Sequence, residues 1–371
     1  MLVGASVRAA AQSALRAGLA PWCADLFADA DLRAVVGDVV RCPFLEYPHG
    51  FIEIVRAAPV GPWMYTGGLE NYPELIREIT RDRPLWGNDS EALAPCRSPT
   101  IVAECLREAG LPALQVLSAN NPVPDLGRWL RKPLRGSAGL GISMAKPQSD
   151  SVHSEVYFQE FVEGVSMSAV FVAARGVSRL LGVTEQLIGT DWLNAPPFRY
   201  AGNIGPVDLP PAPRATLLKI GQTLVEHCGL LGLFGIDFIL ADGTPWVVEV
   251  NPRYPASAEV LERAAGISAL GWHRSAFDPN APMPSPPMSG QRMVGKGILY
   301  AQKRMVIAKD FPPIRTLELV AAGSTKNVGF ADIPCVGEVI EAGWPVVTIF
   351  AEGITREDCI RALEMQASGV L

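Results

Sequence analysis

Residues 245–257 read PWVVEVNPRYPAS, and this stretch determines the predicted fold of the whole chain. The run from Trp246 to Val250 is apolar and β-branched, except for Glu249. A carboxylate inside such a buried-type strand is costly unless a cation or a hydrogen-bond donor meets it. Asn251 follows two residues later, so its side chain leaves the strand on the same face as that of Glu249. The stretch therefore predicts a strand that carries a polar site.

A second apolar run lies just upstream, from Leu230 to Leu240, and it is interrupted by Asp237. Asp242-Gly243 separates the two runs and predicts a tight hairpin turn. The hairpin would bring Asp237 beside Glu249. Two carboxylates and the amide oxygen of Asn251 make a hard-oxygen site, which suits Mg²⁺. The alternative is a structural hairpin in which one carboxylate pairs with Arg253.

A lysine at the end of a predicted strand and a glycine-rich loop occur earlier, where residues 129–142 read WLRKPLRGSAGLGI. Backbone N–H groups of such a loop approach an anion closely, and the lysine supplies positive charge. The P-loop pattern differs, because it needs Gly-Lys-Ser/Thr at the start of a helix. A glycine-rich hairpin tip is the alternative. We predict a phosphate-binding segment formed by Lys132, Gly136, Ser137, Gly139 and Gly141.

Residues 156–161 read VYFQEF and predict a further strand, which Gly164 ends. An apolar segment that carries Gln159 and free backbone amides suits an adenine ring, which needs one donor and one acceptor. This segment is therefore a candidate for the base-binding side of a nucleotide site.

Composition narrows the class of protein. A chain of 371 residues exceeds one ordinary core, so two or three domains are expected, and 49% hydrophobic with 19% charged residues indicates a globular protein. A net charge of −6 argues against nucleic-acid binding, and no long uncharged apolar run predicts a membrane span. The seven cysteines form no CxxC pair and the four histidines lack metal spacing, so we expect reduced thiols, no zinc site and a cytoplasmic protein.

The amino-terminal third alternates apolar runs with helical patterns, which predicts βαβ units on a parallel sheet. The GxGxxG fingerprint of dinucleotide sites is absent, so an oxidoreductase is disfavoured. Ser6 and Arg8 follow the first strand and either contact an acidic substrate or cap the next helix. Glu70 and Asn71 have the same two interpretations, with helix capping favoured.

The carboxy-terminal part contributes several local expectations. Residues 279–287 contain five prolines and predict a linker, whereas the Pro- and Gly-rich residues 194–213 predict a long functional loop. Lys296 either faces the active site or lies on the surface, and the surface is favoured. Strands are expected at Gly297–Ala301, Arg315–Val320 and Val346–Phe350, and a helix at Glu357–Ala367.

Together these features resemble those of the ATP-grasp superfamily of carboxylate–amine ligases. This superfamily includes enzymes of the D-alanine–D-alanine ligase and biotin carboxylase type. The matching parts are Lys132 with its glycine loop, the hinge QEFVEG at residues 159–164, and Asp237 followed by EVNPR at residues 249–253. The resemblance implies an α/β (α+β) ATP-grasp fold with a parallel α/β domain at 1–95 and a two-part ATP-grasp domain at 96–278. A glycine-rich lid at about 127–158 and a small β-rich carboxy-terminal cap at 288–371 complete it.

The resemblance also implies a role for each matched position. ATP is the expected nucleotide, with Lys132 on its phosphates and Gln159, Glu160 and Val162 at its adenine. Mg²⁺, or Mn²⁺ in its place, would be held by Asp237, Glu249 and Asn251. Arg253 would lie beside the γ-phosphate and an acyl phosphate.

Two departures from the family pattern bear on the nucleotide. Many members carry Arg-Asp-Lys before the first helix of this domain, whereas this chain has Arg97-Ser98-Pro99. Ser166 takes the position of a glutamate that holds the ribose hydroxyls in several members.

The resulting hypothesis is a Mg·ATP-dependent ligase that joins a small-molecule carboxylate to an amine through an acyl phosphate. We expect no nucleic-acid or membrane partner. The expected assembly is a homodimer. ATP-dependent phosphotransfer to another acceptor and a non-catalytic nucleotide-binding module are the alternatives.

Overall fold

The computed structural model describes residues 1–146, 155–282, 284, 292–321 and 329–370. Its helices are α1 (Arg8–Arg16), α2 (Ala30–Val35), α3 (Gly50–Ala57), α4 (Pro73–Thr80), α5 (Ser90–Cys96), α6 (Pro99–Glu108), α7 (Pro211–Cys228), α8 (Ala258–Ala265), α9 (Ala269–Phe277), α10 (Pro312–Ala321) and α11 (Arg356–Ser368). Its strands are β1 (Leu2–Gly4), β2 (Cys23–Asp25), β3 (Val39–Arg41), β4 (Met64–Tyr65), β5 (Val116–Ser118), β6 (Trp129–Pro133), β7 (Ser143–Met144), β8 (Val156–Glu160), β9 (Val165–Ala174), β10 (Val177–Ile188), β11 (Tyr200–Gly205), β12 (Gly232–Ala241), β13 (Thr244–Asn251), β14 (Met293–Tyr300), β15 (Met305–Val306), β16 (Phe330–Ala331), β17 (Val339–Ile340) and β18 (Pro345–Gly353).

The first four strands form a parallel sheet in the order β3-β2-β1-β4, which confirms the predicted amino-terminal α/β architecture. Parallel strands need helical crossovers, and α1 to α3 supply them. Loops that follow the carboxyl ends of such strands surround a crevice, which is where ligands bind in open α/β sheets.

An eight-stranded antiparallel sheet forms the centre of the molecule, in the order β13-β12-β9-β10-β11-β14-β18-β16. The β12–β13 hairpin is the predicted one, and Asp242 and Gly243 both have positive φ angles of 48° and 74°. Two consecutive residues with positive φ are typical of a type I′ turn, which explains why Asp-Gly marks this position. Phe171 and Phe234 stack beneath the sheet, with ring centroids 5.2 Å apart.

A smaller antiparallel sheet, in the order β5-β8-β6-β7, carries the glycine-rich loop between β6 and β7. This sheet and the central sheet make up the two parts of the ATP-grasp architecture that the sequence predicted. Residues 147–154, which belong to the predicted lid, lie outside the described residues.

Two local predictions are wrong. The expected loop at 194–213 contains strand β11, which pairs with β10 and β14. Gly202 lies in this strand with φ 141°, and a Cβ there would lie 1.9 Å from the carbonyl oxygen of Lys296, so the Gly-rich composition reflects close strand approach. The expected strand Arg315–Val320 lies in helix α10, which begins with Pro312 and Pro313, and proline suits the first turn of a helix.

The carboxy-terminal part is rich in strands as expected, but only β15 and β17 pair in a sheet of their own, which has two strands. Strand β14 pairs with β11, and β18 and β16 continue the same central sheet. The sequence missed this continuity because it missed β11, the strand that joins the two halves. Residues 283 and 285–287 of the predicted linker lie outside the described residues.

All seven cysteines are free, as expected. Within the described ranges, no helix is both long enough and apolar enough to cross a membrane.

Candidate functional site

One cavity of about 1000 Å³ collects nearly all of the residues that the sequence singled out. The loops of the parallel sheet form one wall, the smaller sheet β5-β8-β6-β7 forms another, and strands of the central sheet form its floor. Gly141 does not line the cavity, although its neighbours Gly139 and Ile142 do. The predicted site residues that line it are Lys132, Gly136, Ser137, Gly139, Gln159, Glu160, Val162, Ser166, Asp237, Glu249, Asn251 and Arg253.

The β12–β13 hairpin places the two candidate metal carboxylates side by side. Asp237 and Glu249 are register partners across the hairpin, as the sequence predicted. Asn251 Nδ2 donates a hydrogen bond to Asp237 Oδ2 at 2.9 Å. Burial, and then the negative charge of Glu249, raise the pKa of Asp237 to about 6. A site that raises a carboxyl pKa in this way gains stability when a cation binds.

Arg97 is a functional-site residue that the sequence analysis did not identify. Its Nη1 lies 2.6 Å from Glu249 Oε1, and its Nη2 lies 2.9 Å from Asn71 Oδ1. Burial alone would raise the pKa of Glu249, but the charges of Arg97 and Lys132 outweigh it and hold that pKa below its usual value. The sequence signal that could have pointed to Arg97 was its position directly before the start of helix α6. Ser98 caps this helix, because its hydroxyl accepts from the N–H of Ile101.

The donor set fits Mg²⁺. Mg²⁺ is typically bound by one or two carboxylates and completed by water and substrate phosphates. Asp237, Glu249 and the amide of Asn251 supply that number of hard-oxygen groups on one edge of the cavity. Among the described residues, no group of three or more His, Cys, Asp or Glu side chains could hold a metal ion.

Lys132 and Gln159 meet at the lid side of the cavity. Lys132 Nζ donates to Gln159 Oε1 at 3.1 Å and to the Val248 carbonyl oxygen at 3.4 Å. Both side chains are buried, because Lys132 is 7% and Gln159 is 3% exposed. Both partners are neutral oxygens, so these two hydrogen bonds do not pair the ammonium group with a carboxylate, and an anionic ligand could do so.

The hinge beyond β8 lines the same cavity, with Glu160, Val162 and Gly164 in its wall. The carboxylate of Glu160 accepts from the N–H of Gln115 at 3.1 Å, so this side chain fixes the hinge to the preceding loop. Ser166, the residue that the sequence predicts near a ribose, lines the cavity, and its Oγ donates to Gln186 Oε1 at 3.3 Å.

The glycine-rich loop packs against the connection between β10 and β11. Gly139 has φ 76°, and a Cβ there would lie 1.9 Å from the carbonyl oxygen of Phe198. The N–H of Tyr200 donates to the carbonyl oxygen of Ala138 at 3.2 Å, and Asn71 Nδ2 donates to that of Gly136 at 3.3 Å. The loop therefore covers the cavity through backbone contacts that only glycine permits at residue 139.

Arg253 is fixed from several sides. Its Nε donates to Glu70 Oε1 at 3.0 Å, its Nη2 to Asn251 Oδ1 at 2.9 Å, and its Nη1 to the Tyr254 carbonyl oxygen at 3.2 Å. Glu70 is 3% exposed, and helix α4 has no side-chain cap. The favoured capping role of Glu70 and Asn71 is therefore wrong, because both side chains position arginines of the site instead.

A second polar group lies on the side of the cavity formed by the amino- and carboxy-terminal parts of the chain. Arg8 is 1% exposed, donates to Glu259 and Asp332, and lines the cavity. Helix α1 has no side-chain cap, so the capping role is wrong, and contact with an acidic substrate stays a prediction. Lys296 Nζ lies 2.9 Å from Glu259 Oε2 and lines the cavity at 5% exposure. The favoured surface position of Lys296 is wrong, because strand β14 lies inside the central sheet and not at a separate cap. Ser6 also lines the cavity.

Comparison with known proteins agrees with this architecture. Residues 100–257 match the model of the ATP-grasp domain family. An uncharacterized protein of Methanocaldococcus jannaschii is 27% identical over 228 residues, which are 60% of this chain and 50% of that protein, so the alignment spans about half of the relative.

Two solved structures extend the likeness over the whole chain. The L-amino acid ligase from Bacillus licheniformis has a TM-score of 0.70 at 16% identity, covering 100% of this chain and 96% of that one. The biotin carboxylase–β-γ-ATP complex from Campylobacter jejuni has a TM-score of 0.75 at 12% identity, covering 100% and 91%. The chain therefore contains an ATP-grasp domain and has the ATP-grasp fold, as its sequence predicted.

Proposed function

We propose that this protein is a Mg·ATP-dependent ligase that joins a carboxylate to an amine through an acyl phosphate. The observation that carries the proposal is the convergence of Lys132, Arg253 and the Asp237–Glu249 pair on one cavity, between a hinge and the loops of a parallel sheet. Cations and hard-oxygen groups arranged in this way suit phosphoryl transfer, where positioning and electrostatics supply most of the catalysis.

The nucleotide would occupy the side of the cavity under the lid. The hinge residues Gln159, Glu160 and Val162 would border the adenine, and Ser166 would lie near the ribose. Lys132 would meet the phosphates with the N–H groups of the loop that contains Gly136, Ser137 and Gly139. This arrangement directs the γ-phosphate toward the hairpin carboxylates.

Asp237 and Glu249, with Asn251, would hold Mg²⁺ or Mn²⁺, which supplies charge neutralisation on the phosphates when bound. Arg97 holds Glu249 through its ion pair and would add a further positive charge near the phosphates. The site thus combines fixed positive charges, which would contact the phosphates directly, with a carboxylate pair, which would contact them through the metal ion.

In the first step the substrate carboxylate attacks the γ-phosphorus, the bond to the β–γ bridging oxygen breaks, and ADP leaves. Arg253 would bind the transferred group with its planar set of N–H donors. In the second step the amine nitrogen attacks the carbonyl carbon, inorganic phosphate leaves with the bonding electrons, and the nitrogen loses a proton. The products are an amide, ADP and phosphate.

A turnover screen tests this proposal. Purified protein with ATP and Mg²⁺ is incubated with pools of carboxylates and amines, and ADP and product mass are measured. We expect ADP release only when both substrate classes are present. ADP release with a product that carries phosphate would instead indicate phosphotransfer to another acceptor, and no ADP with any pair would leave a nucleotide-binding module.

A matched pair of variants assigns the activity to the site. Glu249→Gln is isosteric and should lower turnover by about 100-fold or more while leaving the fold intact. Asp242→Asn changes an exposed carboxylate at the turn of the same hairpin, and asparagine tolerates the positive φ there, so its turnover should match the wild type. Near-normal turnover of Glu249→Gln would remove the hairpin carboxylate from the mechanism.

A further inference from the structure

One end of the cavity is lined by loops of the parallel sheet and by strands of the carboxy-terminal part. Ala30 N donates to the Ile333 carbonyl oxygen at 2.8 Å, and the carboxylate of Asp31 accepts from the N–H groups of Asp332 and Ile333 at 3.1 and 2.9 Å. These bonds hold the start of helix α2 against the segment that follows β16. Asp29 and Asp332 are brought together by this arrangement, and both line the cavity.

The positive charges at this end are already used by protein carboxylates. Arg8 donates to Asp332 at 2.9 and 3.1 Å and to Glu259 at 2.9 Å, and it also lies 3.6 Å from Asp31. Lys296 donates to Glu259 at 2.9 Å. An anionic ligand would therefore have to compete with internal ion pairs for both cations.

Asp29 forms no ion pair among the described residues, although the charge of Arg8 acts on it from a distance. It is 6% exposed, and among the described residues no hydrogen bond reaches its carboxylate. Burial, followed by the charges of Asp332, Asp25 and Asp31, raises the pKa of Asp29 well above its ordinary value. Asp25 differs, because the N–H groups of Val7, Phe27 and Ala28 surround it. A buried carboxylate that lines a cavity and receives no hydrogen bond from the described residues would gain a partner when a cationic ligand binds.

We propose that this end of the cavity binds the amine substrate as its ammonium cation, with Asp29 as the direct partner and Asp332 adding negative potential. The proposal rests on the proposed ligase function, and it assigns the amine to this end of the site. The carboxylate substrate is then left to the region of Arg253, between this end and the nucleotide.

The walls of this end indicate the rest of the amine. Phe44 and Trp344 line the cavity with ring centroids 5.4 Å apart, and they are 58% and 41% exposed. Phe27 also lines the cavity close to Asp29 in the chain. Exposed aromatic side chains at the rim of a cavity offer an apolar surface to a ligand that enters it. An amine with an apolar or aromatic body fits this combination better than a small polar amine.

Three probes of one skeleton and different charge test the assignment: 2-phenylethylamine, 2-phenylethanol and 3-phenylpropanoate. Their binding to the full-length protein is measured by calorimetry at neutral pH, without nucleotide, so that the readout does not depend on turnover. We expect the amine to bind about tenfold more tightly than the alcohol, the size of one charge-assisted hydrogen bond, with the carboxylate weakest.

Variants then assign the preference to residues. Asp29→Asn keeps the size of the side chain but can no longer become a carboxylate, so it should fold, and it should abolish the preference for the amine. Asp242→Asn should retain that preference. Phe44→Ala, an exposed position, should weaken all three probes by a similar factor without changing their order.

The proposal is overturned if the wild type binds no probe with a preference for the amine, if the carboxylate binds most tightly, or if the amine preference survives in Asp29→Asn. Failure of the ligase proposal can be distinguished from failure of the amine-site proposal. Amine-selective binding that depends on Asp29, together with no ADP release in the turnover screen, would keep the amine site and reject the ligase function.

Discussion

Arg97 and Glu249 form an ion pair of 2.6 Å across 152 residues of sequence, and this pair links the start of helix α6 to the hairpin of the candidate metal site. The glutamate side chain is 36% exposed and lines the cavity, so its carboxylate is open to exchange with a ligand. Arg97 therefore occupies a carboxylate oxygen that a metal ion would also use.

Replacing Arg97 with methionine should tighten metal binding in the absence of nucleotide, because a competing cation is removed from Glu249. Exposed ion pairs contribute up to about 1 kcal/mol, so we expect the Mn²⁺ affinity to rise by a factor of about two to five. Electron paramagnetic resonance titration of Mn²⁺ measures this directly. Arg107→Met, an exposed position on helix α6, is the control and should leave the affinity unchanged.

Lys132→Ala should raise the apparent KM for ATP more than the KM of either other substrate, because the lysine faces the phosphates and not the acceptor. Hydrogen exchange over residues 136–142 should slow when Mg·ATP binds to the wild type, and it should slow less in the variant. Lys219→Ala, on the exposed face of α7, is the matched control. An unchanged rate of hydrogen exchange in this loop when Mg·ATP binds would contradict its assignment as a lid.

Gly139→Ala and Gly141→Ala separate steric contact from backbone strain. Both glycines have positive φ angles, 76° and 78°, but an alanine Cβ would lie 1.9 Å from Phe198 O at residue 139 and 3.5 Å from Pro133 Cγ at residue 141. Both changes cost backbone strain of about 1–2 kcal/mol. Only Gly139→Ala should also displace the loop, so its KM for ATP should rise clearly more than that of Gly141→Ala. Equal effects would show that contact with residue 198 does not matter for binding.

The parts of the site that could be predicted are those encoded locally. The alternation of apolar residues and the Asp-Gly turn between two runs were enough to place Asp237 opposite Glu249. Periodicity and glycine spacing also indicated the lid and the hinge. The fold followed because those local segments occurred in a recognisable order.

The parts that could not be predicted depend on distant contacts. Glu70 meets Arg253 across 183 residues, and Arg8 meets Glu259 across 251. Nothing within a short window distinguishes a glutamate that caps a helix from one that positions an arginine. Lys296 was misjudged for the same reason, since its burial depends on the pairing of β14 with β11.

His273 should make stability depend on pH, because it is buried as the neutral ring. Leu233 N donates to its Nδ1 at 2.9 Å, and its Nε2 lies 3.0 Å from the Trp86 carbonyl oxygen. Burial lowers the pKa of His273 to about 4. Its contribution is complete above about pH 6.5 and is lost as the pH falls toward 4, since the unfolded state then binds a proton that the folded state does not.

The free energy of unfolding of the wild type, measured by urea denaturation, should fall between pH 7 and pH 4.5 by about 2–3 kcal/mol more than that of His273→Asn. Asparagine retains an acceptor for the N–H of Leu233 but does not titrate. Parallel pH profiles of the two proteins would exclude His273 as the source.

Arg253 should act mainly in the transition state, and Glu70 should act through it. Arg253→Lys loses the planar set of donors, so we expect kcat to fall by the equivalent of about 2–4 kcal/mol, with a smaller effect on ATP binding. Glu70→Gln keeps the shape of the side chain but removes the charge that holds the guanidinium at 3.0 Å, and it should lower kcat by about 1–2 kcal/mol. Because the two residues act as one unit, the double variant should be little worse than Arg253→Lys alone. Steady-state kinetics of the four proteins give this cycle. Additive losses, or a loss of ATP binding at unchanged kcat, would make Arg253 a ground-state anchor and would remove the main side-chain support for an acyl-phosphate mechanism.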